Sequence, residues 1–245
     1  MYSAPVVDNG RLFIGDRRGY LHARDAKTGH RIWKLLTSRA ENNDVNGPPL
    51  VRGDRVYVAT NAGRFLCIDA ATGKIHWNLY LRNPSINEIL VHDNVAIICD
   101  MVALNWVDIE SGILLARKSL PRQSYLKGVA SKGLDLFVAI SSDSKKVSSS
   151  EGTLFGFHGS DLVFEKPHNS GLTSLSWLST SQLLECRYDG LGILNPKDGS
   201  RLQTLEFPDL MYFDPVGIPT EHGNRLYGVS NRGIVFALRW PPNEG

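Results

Sequence analysis

Three aspartates recur along the chain at nearly constant spacing: Asp25, then Asp69 forty-four residues later, then Asp108 a further thirty-nine on. Carboxylates in such a series could ligate a metal ion or act as general acid and base. Each, however, opens the same short string: Asp25-Ala-Lys-Thr28-Gly29, Asp69-Ala-Ala-Thr72-Gly73 and Asp108-Ile-Glu-Ser111-Gly112. An Asp ahead of Thr-Gly accepts backbone N–H bonds while Gly supplies positive φ, so these carboxylates are predicted to close turns. The seven histidines (22, 30, 76, 92, 158, 168 and 222) include no His-x-His pair, and no Cys-x-x-Cys accompanies them. His30 and His76 fall just past Thr-Gly turns, at positions expected to be solvated. No Gly-x-Ser-x-Gly elbow or phosphate loop occurs, and the glycines of Gly152-Thr-Leu-Phe-Gly-Phe-His158 read as part of a strand. No catalytic, metal-binding or cofactor-binding residue is therefore assigned.

Charge is more informative. Residues 1–39 hold eight Lys/Arg (Arg11, Arg17, Arg18, Arg24, Lys27, Arg31, Lys34, Arg39) against Asp8, Asp16 and Asp25, a net of +5. The remaining 19 basic and 22 acidic residues give −3, for a total of +2. A basic first segment could steer an acidic partner or a nucleic acid, or simply form a solvated face. Few aromatic residues interleave with these cations, which argues against single-strand binding. Arg17-Arg18, in a predicted turn, is the sharpest local candidate for contacting a partner, with Arg24 nearby in sequence. Ser141–Glu151 interrupts the pattern with a Ser-rich stretch carrying Lys145 and Lys146; it reads as a recognition loop or a low-complexity linker. A polar loop also spans Ser38–Asn46. The cluster Leu210-Met211-Tyr212-Phe213-Asp214 follows Pro208 and reads first as seam packing, second as an interaction patch centred on Tyr212.

The elements that must position these residues come from internal repetition. Residues 10–33 and 53–77 are near-copies, each running from Gly through a short alternating strand, Gly-x-(Leu/Phe)-x-x-x-Asp-Ala-x-Thr-Gly, and on to Trp33 or Trp77. Val56, Val58 and Thr60 alternate with Tyr57 and Ala59, a period of two that denotes a strand. Weaker copies occur at Asp108, at His158 (in the Asp place), at Asn195-Pro-Lys-Asp-Gly199 and at Arg239. Six units of about 40 residues, each made of short strands, predict an all-β chain: a β-propeller of about six four-stranded blades within one domain, residues 1–245. The blades are expected at about 2–40, 47–82, 84–120, 126–168, 170–208 and 212–242. Trp240-Pro241-Pro242 follows the last copy so soon that its blade is expected to lack a fourth strand. That blade is either simply trimmed or leaves an edge a partner could pair with.

The pattern Gly-x-x-Val-Tyr-Val-x-Thr…Gly-x-(Leu/Phe)-x-x-x-Asp-Ala-x-Thr-Gly-x-x-x-Trp resembles the pyrroloquinoline-quinone-like repeat of quinoprotein-type β-propellers, over nearly the whole chain. The resemblance implies that Asp, Thr and Gly turn between the third and fourth strands of a blade. It also implies that Trp33 and Trp77 dock onto the next blade. That place falls to Ala116 in the third copy, and to Phe164 in the fourth if its turn is two residues shorter. Enzymes of this type are larger, with a vicinal Cys pair and a calcium held by Glu, Asn and Asp. This chain has no vicinal pair, its aspartates belong to turns, and fold does not imply function.

The composition, 42 % hydrophobic and 21 % charged over 245 residues, is globular and excludes a role set by bulk charge. Cys67, Cys99 and Cys186 are odd in number and scattered through apolar runs, which predicts buried thiols and a reducing compartment. No signal-peptide pattern or membrane-length apolar run is seen, so a cytoplasmic protein is expected, with a mature exported fragment as the alternative. Related propellers act as scaffolds, such as outer-membrane assembly lipoproteins, from which this chain departs in size and in lacking a lipidated Cys. The resulting expectation is a non-catalytic scaffold or inhibitor/immunity-type protein that binds another protein through rim loops, without cofactor or membrane. An enzyme with a site in the central funnel and a nucleic-acid binder are the alternatives.

Overall fold

A computed structural model describes residues 3–41, 43–45, 47–83, 89–100, 102–120, 125–141, 151–169, 172–178, 182–187, 190–206, 220–222, 225–229 and 235–239. Every regular element among them is a strand, as the period-two pattern requires. The first sheet holds β1 (Val6–Asp8), β2 (Arg11–Gly15), β3 (Tyr20–Asp25) and β4 (Arg31–Leu36). The second holds β5 (Leu50–Arg52), β6 (Arg55–Ala59), β7 (Arg64–Asp69) and β8 (Ile75–Tyr80). The third holds β9 (Leu90–His92), β10 (Val95–Cys99), β11 (Ala103–Asp108) and β12 (Leu114–Ser119). These lie in one compact unit, residues 1–122. A second unit, 123–245, holds β13 (Tyr125–Lys132), β14 (Asp135–Ser141), β15 (Glu151–His158) and β16 (Asp161–Asn169) in the fourth sheet. The fifth holds β17 (Leu172–Leu178), β18 (Gln182–Arg187), β19 (Gly190–Leu194) and β20 (Arg201–Glu206). The sixth has three strands among the described residues: β21 (Thr220–His222), β22 (Arg225–Val229) and β23 (Val235–Arg239), in line with an incomplete last blade.

Each sheet is an antiparallel meander in sequence order, so one repeat makes one sheet. A single register irregularity recurs at one place in the first five, where the third strand meets the fourth: after Ala23, Cys67, Trp106, Gly156 and Ile193. Such a bulge sharpens strand twist locally. Within each unit the core lies between successive sheets. Phe13, Leu21 and Ala23 of the first pack with Val56, Val58 and Ile68 of the second, all at most 1 % exposed. Within the second unit, Phe137 and Leu154 pack with Leu175, Leu183 and Leu194.

Candidate functional site

The repeated aspartates do turn chemistry, with the same bonds in each copy. Asp25 Oδ1 accepts from the Thr28 hydroxyl (2.7 Å), the Thr28 N–H (2.6 Å) and the Lys27 N–H (3.1 Å). Asp69 Oδ1 accepts the same set from Thr72 and Ala71, and Asp108 Oδ1 accepts the hydroxyl and N–H of Ser111. The hydroxyl bond and then the N–H bond hold all three carboxyls below their ordinary range. Gly29, Gly73 and Gly112 follow at φ of 73°, 74° and 74°, where a side chain would be strained. Asn195 and Asp198 divide the role in the fifth sheet: Asn195 Oδ1 accepts from Lys197 N–H, and Asp198 Oδ1 from Ser200.

The tryptophans dock as the resemblance implied. Trp33 donates Nε1–H to Ala70 O (3.0 Å), and its ring covers Gly73 so closely that a Cβ there would stand 2.8 Å from Cδ2. Trp77 likewise covers Gly112, and donates one residue further along its turn, to Glu110 O (2.9 Å). In the third sheet Ala116 pairs in register with buried Trp106, so the large ring has crossed to the neighbouring strand. In the fourth, the turn is two residues shorter and Phe164 takes the docking place. A Cβ on Gly199 would lie 2.5 Å from its Cε2.

Of the residues expected to meet a partner, Arg17 and Arg18 are exposed in the β2–β3 hairpin. Asp16 locks that hairpin: Oδ1 accepts from Arg18 N–H (2.8 Å) and Tyr20 N–H (2.9 Å), while Oδ2 lies 2.7 Å from His22 Nε2. Burial opposes ionisation of Asp16, but the bonds from His22, Tyr20 and Arg18 together hold its carboxyl below the ordinary range. Arg24 does not join them. It lies at the far end of β3, about 13 Å of strand beyond Tyr20, and donates to Gly29 O in its own turn (2.8 Å). Lys34 covers the Tyr20 ring at 3.6 Å. The basic first segment is thus divided between the two ends of its sheet. Lys145, Lys146 and Tyr212 lie outside the described residues.

Two buried acidic clusters had no clear signal in the sequence. Asp100, fully buried, accepts from Val102 N–H (2.9 Å) and Asn105 Nδ2 (3.1 Å), and Arg117 Nη2 lies 3.3 Å from it. Glu185, also fully buried, has His168 Nε2 at 2.8 Å and Arg201 Nη2 at 2.6 Å, close contacts that lack hydrogen-bond alignment. A lone Glu in Leu183-Leu184-Glu185-Cys186 was the one available hint. All three cysteines are buried thiols. Burial, followed by the Asp100 charge, pushes Cys99 up to about 12, which keeps it un-ionised and poorly nucleophilic.

A family profile described as "Outer membrane protein assembly factor BamB" matches residues 2–239. The chain belongs to this family. Among curated relatives, BamB of Moranella endobia is 28 % identical over 101 residues, 38 % of this chain and 26 % of that protein. The quinoprotein ethanol dehydrogenase of Pseudomonas putida is 28 % identical over 81 residues, 31 % of this chain and 13 % of that protein. The matched stretch therefore spans about a quarter or less of these relatives. The crystal structure of BamB from Moraxella catarrhalis superposes with a TM-score of 0.57 at 19 % identity, covering 99 % of this chain and 84 % of that one. The fold is that of a β-propeller built of PQQ-like repeats, with about five to six blades.

Proposed function

We propose that this chain binds another protein through loop side chains of its first repeat and has no catalytic centre of its own. The observation that carries this reading is the Arg17-Arg18 hairpin. Two exposed guanidiniums are presented on a turn that Asp16 holds by three contacts, so little loop entropy is lost when they engage a partner. Exposed arginines favour carboxylates, which gives an acidic partner surface. Membership of a family named for an assembly factor supports a scaffold role; an inhibitor or immunity-type protein is a narrower version of the same reading. The dehydrogenase relatives supply the competing one, an enzyme.

Cross-linking in extracts of the source cells, with wild-type protein and Arg17→Glu/Arg18→Glu side by side, tests it. The expected result is one stoichiometric partner, weakened by salt and reduced about tenfold or more in the variant. Equal recovery by both proteins would move the binding face elsewhere. Dye reduction with added quinone, calcium and an alcohol would replace the scaffold reading with the enzyme.

A further inference from the structure

The seam between the fourth and fifth sheets departs from the two tryptophan-docked seams in a way that leaves a shaped cleft. Phe13–Trp33, Tyr57–Trp77 and Phe137–Phe164 are equivalent ring pairs, with centroids 5.9, 6.0 and 6.1 Å apart. In the third pair the ring is smaller and has no N–H, so it cannot donate to Pro196 O as Trp33 donates to Ala70 O. Across the seam the exchange runs the other way. Trp177 pairs in register with Leu183, the place that Val51 holds opposite Val56 in the second sheet. Its ring packs edge-on against Phe137 at 5.4 Å, but its Nε1 is buried with no hydrogen-bond partner among the described residues. A buried N–H left in this state is destabilising.

Between Phe164, Trp177 and the Asn195-Pro196-Lys197 turn lies a cleft of about 530 Å³, within the range of ligand sites. Its walls are aromatic. Lys197 lies at its edge, Lys132 stands over the Trp177 ring at 5.1 Å, and Asp135 is occupied by His158 at 2.9 Å. The mouth therefore carries the Lys197 ammonium beside the Asp135–His158 pair.

We infer that this cleft receives one tryptophan side chain of a protein partner, flanked in the partner by acidic residues. The indole would stack among the rings and donate its N–H to the Pro196 carbonyl, as Trp33 does on Ala70 within the chain itself. The partner's carboxylates would meet Lys197 at the cleft edge. This inference rests on the protein-binding reading for the nature of its ligand, though not for the existence of the site.

The probe is N-acetyl-tryptophanamide, titrated into protein carrying ¹⁵N-labelled indoles. Saturable displacement of the Trp177 N–H resonance is expected, with N-acetyl-leucinamide at least about tenfold weaker. Phe164→Trp fills the cleft from inside and should weaken the probe about tenfold or more. Since that variant could fail to fold, Lys197→Glu provides a surface test. It should leave the amide unaffected and weaken an Asp-Trp-Glu peptide about fivefold. An unmoved Trp177 resonance, or equal binding of the leucine amide, overturns the site; so does a folded Phe164→Trp that binds as well as wild type. A partner captured equally by wild type and Phe164→Trp, yet lost from Arg17→Glu/Arg18→Glu, overturns the inference and upholds the protein-binding reading. Probe binding with no protein captured overturns that reading alone.

Discussion

In the first unit, two seams are closed by a tryptophan from the fourth strand, ring on glycine and N–H on a turn carbonyl. In the second, the fourth–fifth seam is closed from both sides by Phe164 and Trp177, and the hydrogen bond is not reproduced. The third sheet shows a related exchange, with Trp106 opposite Ala116. These seams show that the repeat conserves ring volume more readily than hydrogen bonding, because dispersion and burial depend on filled space and not on which strand fills it. A donor must sit at one place. At the fourth–fifth seam, moving the ring keeps most of the packing and loses the bond, and a cleft opens beside Phe164.

Replacing the docking rings tests this contrast most strongly. Trp33→Ala is expected to cost about 3–5 kcal/mol, and Phe164→Ala, half-buried and without a polar bond, about 2 kcal/mol, by urea unfolding. Equal losses would remove the distinction between the two kinds of seam. The acidic clusters come next. Asp100→Ala removes the acceptor of Val102 N–H and the ion-pair partner of Arg117, while Asn105 Nδ2 keeps Ile98 O, and should cost about 3 kcal/mol. Glu185→Ala should cost about 2 kcal/mol, because Arg201, about a third exposed, can turn to water. A larger loss at Glu185 would mean that its unaligned contacts are stronger than their geometry indicates.

The smallest effect is acid sensitivity. Asp25, Asp69 and Asp108 of the first unit are held below their unfolded value, and Asp198 is the counterpart in the second. A carboxyl whose folded pKa is depressed stabilises the fold fully above its unfolded value, near 3.8, and that contribution is lost as pH falls through the folded value. Asp69→Asn and Asp198→Asn should therefore each flatten the acid limb of stability below about pH 4. Circular dichroism melts between pH 2 and 6 would show this. A steeper limb after Asp69→Asn would reverse the sign of the argument.

Much of the fold was legible because each repeat states its geometry locally. Asp-x-x-Thr-Gly forces one turn, alternation forces one strand, and the spacing of Asp25 to Asp69 forces one sheet per copy. The three strands of the sixth sheet among the described residues fit that frame, while the Trp33 and Trp77 docking and its transfer to Phe164 were what the family resemblance implied. The partner surface was less legible. Arg17, Arg18 and Arg24 are close in sequence, but strand β3 carries Arg24 to the opposite end of its sheet, where its own turn takes it up. Glu185 gave no sign of its contacts, since His168 comes from a different sheet and Arg201 from two strands away.

Sequence alone determined the strand period, the turn chemistry and a count of about six repeats. These depend on neighbours a few residues apart, or on a motif that returns at one interval. Only the tertiary structure decided that Trp177 compensates for Phe164, that Trp106 faces Ala116, and that the seam cleft has aromatic walls with Lys197 at its mouth. Those outcomes depend on volumes and polar atoms brought together from separate strands, and no single stretch of chain encodes that sum.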